Sequence, residues 1–522
     1  MIMRQYLLYV TAPSRSAAII AALERLGAKK LPDDGAMTQN FELNHRLLKG
    51  MTMRIHVMAD IDGVAPFLRQ HPVDLLVYDE RGEDAVEAVA AVQHIGRDVS
   101  SLLQLWGPDF HFPNSRIVTV LKQTPDVDHR VFILGRLNVR DVIVEPEKTA
   151  LMLRWLREVL YAGIIRENKV GLALSGGAIE GLLYQAGAIL ALKHAFDGRS
   201  IYTCDVISGI SSGSIVGSMV ANQIEVEELV RGVMDLTSRY PPLKLSTIFD
   251  LAGLHILKRV VSSSLKMRRV KLSQWLEATM ESIPTGFFKG DKLEAYFHEL
   301  FVDHGVSDQF DGVKPKLYIG ATDQDTFDHV TLGRFPHDRM QISAAVRASC
   351  SLPPLFTPKA IGDRWYIDGQ VTKSCNLESV VEDGTRLVFV IDPMKPYRAT
   401  IAGTADIKGG YYGVVQMIKA LVSTRFEDSL RAVSEQYPDV DFLVFQPDEE
   451  CARLMAGSPL RARLRIEVVE VAFQSTLRRL RERHRVYAAK TSRYGFELKS
   501  IDALRKLENS YKDIIENITD SK

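Results

Sequence analysis

Residues 204–222 read CDVISGISSGSIVGSMVAN, a short apolar strand running into Gly209-Ile210-Ser211-Ser212-Gly213 and then into a helix. Gly209 and Gly213 stand two residues either side of Ser211. A serine at so sharp a strand-to-helix turn needs neighbours without bulk, and the helix that follows points its positive end at the hydroxyl. This is the form of a nucleophile elbow. Gly-x-Ser-x-Gly by itself is as often a plain loop, so the reading depends on partners elsewhere in the chain.

One partner lies upstream in VGLALSGGAIEGLLYQAGAILALKHAF, residues 170–196, where a buried strand is followed by Gly176, Gly177 and Ala178, with Gly181 opening a helix. Backbone N–H groups in such a loop can converge on one oxygen atom and form an oxyanion hole. The loop lacks the Gly-x-Gly start of a dinucleotide fingerprint and the Gly-Lys-Ser/Thr of a phosphate loop. The other partner lies downstream in RASCSLPPLFTPKAIGDRWYIDGQ, residues 347–370, where Asp368 ends a strand and Gly369 lets the chain turn. An aspartate can act directly as the base for a serine if it is within hydrogen-bond reach and partly desolvated, so that its pKa rises above about 3.9. An isolated Asp-Gly is usually only a turn.

Taken together and in this order, SGGAIEG, GISSG, ASCSLPPLFTP and DGQ resemble the patatin-like phospholipases, over roughly residues 170 to 395. The resemblance implies a three-layer α/β/α catalytic domain that hydrolyses lipid esters, of phospholipase A or lysophospholipase type, through an acyl-serine. It makes Ser211 the nucleophile, Asp368 its sole base, and the N–H groups of Gly176, Gly177 and Ala178 the oxyanion hole. Three positions depart from the family pattern. Ala178 replaces a third glycine and is tolerable only with φ below zero. Glu180 stands where the family has a basic residue, which leaves the preference between phospholipid and neutral ester open. Gln370 follows Asp-Gly where the family usually has Gly or Ala. Two other readings remain: an α/β-hydrolase with a Ser-Asp-His triad, for which His484 is the one histidine after Asp368, and a catalytically inactive lipid-binding module.

The chain around these motifs has 522 residues, 46% hydrophobic and 25% charged, with 65 basic and 65 acidic side chains. Zero formal net charge gives no global field for nucleic acid. Four cysteines without CxxC spacing predict a reducing compartment. The start MIMRQYLLYVTAPSR predicts no signal peptide, and no apolar run reaches the roughly 20 residues of a membrane span. The expectation is a cytoplasmic protein, at most peripheral at a membrane. No histidine spacing suggests a metal, and no cofactor is expected.

Three segments follow from the patterning. Residues 1–160 alternate strand-like runs (YLLYV, MRIHVM, VDLLVYD, RIVTVL, DVIVE) with helix-like ones, which predicts an α/β domain with a parallel sheet. Its spacing resembles a response-regulator receiver domain of flavodoxin-like fold, with Asp79 at the phospho-acceptor position. Thr11, Ala12 and Pro13 occupy the place of the family's acids and Glu145 that of its lysine, so phosphorylation is not expected; another α/β module with Asp79 merely at a strand end is the alternative. Residues 165–395 carry the catalytic motifs. Within them, 240–290 is a candidate cap: from Leu243 to about 272 apolar residues mix with Lys244, Lys258, Arg259, Lys266, Arg268, Arg269 and Lys271, as in helices that meet anionic membrane surfaces. Residues 396–522 read as a mostly helical extension with one strand, DFLVFQP, a long charged helical run at 461–490 and one amphipathic closing helix. Nothing in the sequence sets the oligomeric state.

Overall fold

The computed structural model describes residues 4–11, 13–32, 38–44, 52–59, 63–79, 116–136, 139, 141–144, 169–236, 239–243, 286–456 and 462–520. The expected helices at 84–96 and 149–163, Glu145, and the basic part of the candidate cap lie outside these residues. The chain divides into two compact units. One comprises residues 1–168 with 430–441 and 483–496, and the other 169–429 with 442–482 and 497–522.

In the first unit all five expected strands form: β1 (Arg4–Thr11), β4 (Thr52–Met58), β5 (Leu75–Asp79), β6 (Ile117–Leu121) and β7 (Asp141–Val144). They pair in parallel in the order β4-β1-β5-β6-β7. Second, first, third, fourth, fifth is the winding of flavodoxin-like sheets. The helices α1 (Pro13–Arg25), α2 (Val64–Gln70) and α3 (Val127–Arg136) connect them. The sheet is mixed rather than purely parallel, because β2 (Lys29–Lys30) and β3 (Thr38–Leu43) add an antiparallel edge. Strand β3, TQNFEL, buries Thr38 and Asn40, residues a hydropathy pattern assigns to loops. Their polarity is satisfied locally: Thr38 donates to Asn40 Oδ1 at 3.1 Å, and the His56 ring lies 2.7 Å from the same oxygen.

Asp79 ends β5 opposite Thr11, is 1% exposed, and accepts a hydrogen bond from the Tyr9 hydroxyl at 2.7 Å. The same unit holds a buried charge cluster. Both Arg116 Nη atoms lie 3.1 Å from Asp441 Oδ1, Lys490 Nζ lies 2.9 Å from it, and Arg493 grips Asp74 bidentately at 2.9 and 2.8 Å.

The second unit is built on β8 (Lys169–Leu174), α4 (Ala178–Ala195), β9 (Phe196–Gly198), β10 (Val206–Ile210), α5 (Ser212–Ala221), α6 (Val226–Val233), α7 (Asp291–Asp303), β11 (Lys316–Asp323), β12 (His329–Leu332), α8 (Ile342–Ser349), β13 (Lys359–Ile361), β14 (Arg364–Asp368), α9 (Leu377–Val381) and β15 (Thr385–Ile391). Then come, in chain order, α10 (Thr404–Lys408), α11 (Gly410–Gln436), β16 (Asp441–Phe445), α12 (Glu449–Leu454), α13 (Ala462–Glu482), α14 (His484–Ser492), β17 (Phe496–Leu498), α15 (Ile501–Asn509) and α16 (Tyr511–Asp520), of which α14 and the end of α11 belong to the first unit. The main sheet runs β13-β14-β11-β10-β8-β15-β16, with β11, β10, β8 and β15 parallel and β14 antiparallel to β11.

Helix α4 is apolar almost all round because it is buried on nearly every side. Helix α13 covers it so closely that a Cβ on Gly187 would stand 2.4 Å from the Val469 carbonyl oxygen. The charged run at 461–490 is two helices, broken at Arg483, and the closing segment is also two, α15 and α16, broken at Ser510. Ser510 turns its hydroxyl back onto the Lys506 carbonyl, the local bond by which serine competes with helix continuation. Leu243, expected at a membrane-facing cap, is 2% exposed and belongs to the core. Among the described residues, no helix is long and apolar enough to cross a membrane.

Candidate active site

Sheet register brings the two candidate residues to one end of β11. Ile210 pairs with Gly320 on one side of that strand, and Asp368 pairs with Ala321 on the other. Ser211, the next residue after Ile210, therefore leaves β10 beside the strand end that carries Asp368. Its hydroxyl stands close enough to the Asp368 carboxylate to oppose the rise of that group's pKa, and the carboxylate accepts the Gln370 N–H at 2.8 Å.

The turn at Ser211 has φ 53° and ψ −124°, a conformation that costs an L residue about 1–3 kcal/mol. Its two glycines are required by close approach. A Cβ on Gly209 would lie 2.2 Å from the Gly213 carbonyl oxygen, and one on Gly213 would lie 2.4 Å from that of Leu174. A further clamp comes from the ASCS stretch ahead of Asp368, for whose serines the sequence gives no role. The Ser211 N–H donates to Ser349 Oγ at 2.8 Å, and Ser349 in turn donates to the Gly320 carbonyl at 2.6 Å. Two residues on, the Ser351 carbonyl accepts the Asp368 N–H at 3.0 Å, so ASCS positions both candidate residues at once. Ser349→Ala leaves the buried Ser211 N–H without its acceptor and is expected to lower stability by about 1–3 kcal/mol in urea unfolding.

Asp368 is 1% exposed, and burial drives its carboxyl up to about 7, against the pull of the Gln370 N–H and the Ser211 hydroxyl. A carboxylate balanced near neutrality can both take and return a proton. No histidine is among its hydrogen-bond partners in the described residues. His484 opens α14, which clusters with the first unit. The histidine that does come near is His329, whose ring meets Thr372 at 3.2 Å; Thr372 contacts Thr322, which donates to the Asp368 backbone carbonyl. Burial, reinforced by Lys373, lowers its pKa to about 4, so it is neutral at pH 7.

The upstream loop abuts the elbow, since the Leu174 and Ser175 carbonyls face Gly213. It is anchored by Ser175, whose hydroxyl donates to the fully buried Asp392 carboxylate and whose carbonyl accepts from Gln185. Among the described residues, none accepts a hydrogen bond from the backbone N–H groups of Gly176, Gly177 and Ala178. Ala178 has φ 52°, not the negative value expected of a non-glycine residue there. Closing the loop over the start of α4 overrides the roughly 1–2 kcal/mol that alanine prefers to avoid. Glu180 interacts with Lys419 of α11: burial raises the carboxyl against the attraction of the lysine, and burial lowers the ammonium against that of the glutamate. The loop acid is thus offset by a cation from far along the chain. Gln370 lies with its carboxamide against Gly176.

Residues 172–381 match the family model described as patatin-like phospholipase. Among solved structures, the chain is similar to VipD from Legionella pneumophila, at 14% identity and a TM-score of 0.28, over 61% of this chain and 67% of that one. It is also similar to the G domain of the T. maritima FeoB iron transporter, at 11% identity and a TM-score of 0.21, over 30% of this chain and 99% of that one. Likenesses this loose carry no argument about function. The family match runs from the second half of β8 through the glycine loop and the elbow to beyond Asp368 in a single stretch, and on it residues 172–381 of this chain are a patatin-like phospholipase domain.

Proposed function

We propose that this chain is a serine hydrolase of lipid carboxylic esters that works through a Ser211-Asp368 dyad. The observation that carries the reading is a strained, glycine-flanked serine brought by sheet register beside a buried carboxylate whose pKa is pushed up to about 7. Ser211 Oγ attacks the ester carbonyl as Asp368 takes its proton. The N–H groups of Gly176, Gly177 and Ala178 receive the negative oxygen. Collapse of the tetrahedral intermediate expels the alcohol, which takes the proton back from Asp368 and leaves acyl-Ser211. Water, deprotonated by Asp368, then attacks the acyl carbon; the bond to Ser211 Oγ breaks, the serine takes the proton back from Asp368, and the fatty acid is released.

Charge at the loop bears on the substrate class. With Glu180 offset by Lys419, the oxyanion loop presents no excess charge of either sign, which suits an ester carbonyl without selecting an anionic head group. The first unit serves as a receiver-like module that does not accept phosphate, since Asp79 is buried under the Tyr9 hydroxyl and no acid stands at Thr11 or Pro13. The domain organisation 1–160, 165–395 and 396–522 belongs to this same reading, as does a cytoplasmic protein that touches membranes peripherally.

A fluorophosphonate probe is expected to label the full chain once, at Ser211, and Ser211→Ala is expected to abolish both labelling and hydrolysis of a p-nitrophenyl ester. A folded wild-type protein that resists the probe would leave lipid binding without catalysis as the better account.

A further inference from the structure

We infer that the Gln370 carboxamide is an additional oxyanion donor, a side-chain N–H that joins the backbone N–H groups of the glycine loop; the inference rests on the acyl-transfer reading above. Gln370 is 8% exposed, and its Nε2 has no hydrogen-bond partner among the described residues. A buried NH2 without an acceptor is costly, and native proteins keep few of them. This one lies against the loop that receives the negative oxygen. A Cβ placed on Gly176 would stand 2.3 Å from Gln370 Cδ, 2.4 Å from Oε1 and 2.7 Å from Nε2, so the carboxamide rests on the Cα of Gly176 and either of its ends reaches the loop.

The other end of the residue is tied to the base. The Gln370 N–H donates to Asp368 Oδ1, and the turn Gly369–Val371 follows directly from β14. Gln370 therefore spans the distance from the carboxylate that takes the proton to the loop that takes the charge. Ala178 is the residue of the loop whose side chain departs from an all-glycine cradle, and a donor from Gln370 adds to what the three backbone N–H groups supply. In the step itself, the serine oxygen forms a bond to the carbonyl carbon, the π pair moves onto the carbonyl oxygen and the hydroxyl proton passes to Asp368. Gln370 donates a hydrogen bond to that oxygen and keeps its proton.

The test uses the full chain with Gln370→Met, which keeps the length and removes the donor, and Gln370→Glu, which puts an acceptor in its place. Kinetics on a p-nitrophenyl ester are compared with the inhibition constant of a trifluoromethyl ketone, whose adduct with Ser211 bears the same oxyanion. Loss of one such donor is expected to lower kcat by about 10²-fold or more. KM should stay within a few-fold, and ketone affinity should fall in proportion to kcat/KM across both variants. A merely structural role would lower the melting temperature without that proportionality, and unchanged or higher kcat in Gln370→Met would mean that the side chain obstructs the loop. Either result overturns the inference. If a variant fails to fold, Gln370→Asn, which withdraws the amide by one methylene, is measured in the same way. Wild-type protein that fluorophosphonate does not label at Ser211 would instead overturn the acyl-transfer reading, and the Gln370 role with it.

Discussion

Asp368→Asn is expected to lose at least about 10²–10⁴ of kcat on a soluble ester and yet to unfold at higher urea concentration than the wild type at pH 8. Both effects have one cause. Burial holds the folded carboxyl at about 7, whereas in the unfolded chain it ionises near 3.8. Between those values the folded state binds the extra proton, so stability falls by about 1.4 kcal/mol per pH unit as pH rises. The deficit reaches about 4 kcal/mol by pH 7 and remains above it. Asparagine carries no charge to desolvate, so the gain should be large at pH 8 and vanish near pH 4. On the proposed dyad the same carboxyl sets the activity profile: only the ionised form can take the serine proton, so kcat/KM of the wild type should rise with pH to a plateau above about 7. Equal unfolding midpoints for variant and wild type at both pH values, with turnover retained, would show that Asp368 is neither desolvated nor the base.

Asp441→Asn should destabilise the first unit by about 3–5 kcal/mol, the cost of removing one partner from a buried ion pair. Burial alone would raise the Asp441 carboxyl, but Lys490, Arg116 and Arg493 outweigh it and hold the group well below the usual carboxylate range. A depressed carboxyl contributes stability that is fully present above its unfolded value of about 3.8 and is lost as pH falls toward the folded one. The wild type should therefore lose its advantage over the variant in acid, which unfolding followed at pH 7 and pH 3 would reveal. Truncation is affected too. Removing residues 1–160 would take away Arg116 and Asp74, leaving Arg493 without its bidentate carboxylate and Asp441 with Lys490 as its close partner, so the shortened chain should be less stable than the second unit's own core implies. Identical stability of Asp441→Asn and wild type at pH 7 would mean that the cluster is solvated.

Much of this molecule is legible from local pattern because its cause is local. Five apolar runs in residues 1–160 become five parallel strands, since β-branched and aliphatic residues in short runs have no better burial than a sheet with two covered faces. The elbow is local only in part: a Cβ on Gly209 would meet the Gly213 carbonyl within the turn, whereas Gly213 is confined by the Leu174 and Ser175 carbonyls of the upstream loop. Polar strands are not legible in this way. TQNFEL forms β3 because Asn40 finds His56 on the neighbouring strand, a partner sixteen residues away that no hydropathy pattern contains.

The site divides along the same line. Sequence alone singled out the serine and the aspartate that the fold brings to one end of β11, because each sits beside glycines at a strand end. Only the tertiary structure decided the properties that those motifs acquire. Asp368 reaches about 7 through burial among strands drawn from across the chain, Ser349 holds the Ser211 N–H from 138 residues away, and Lys419 balances Glu180 from a helix far downstream. Ala178 keeps φ 52° against its own preference. Desolvation, long-range charge and loop closure depend on what surrounds a residue in space, and a residue's chain neighbours specify almost none of it.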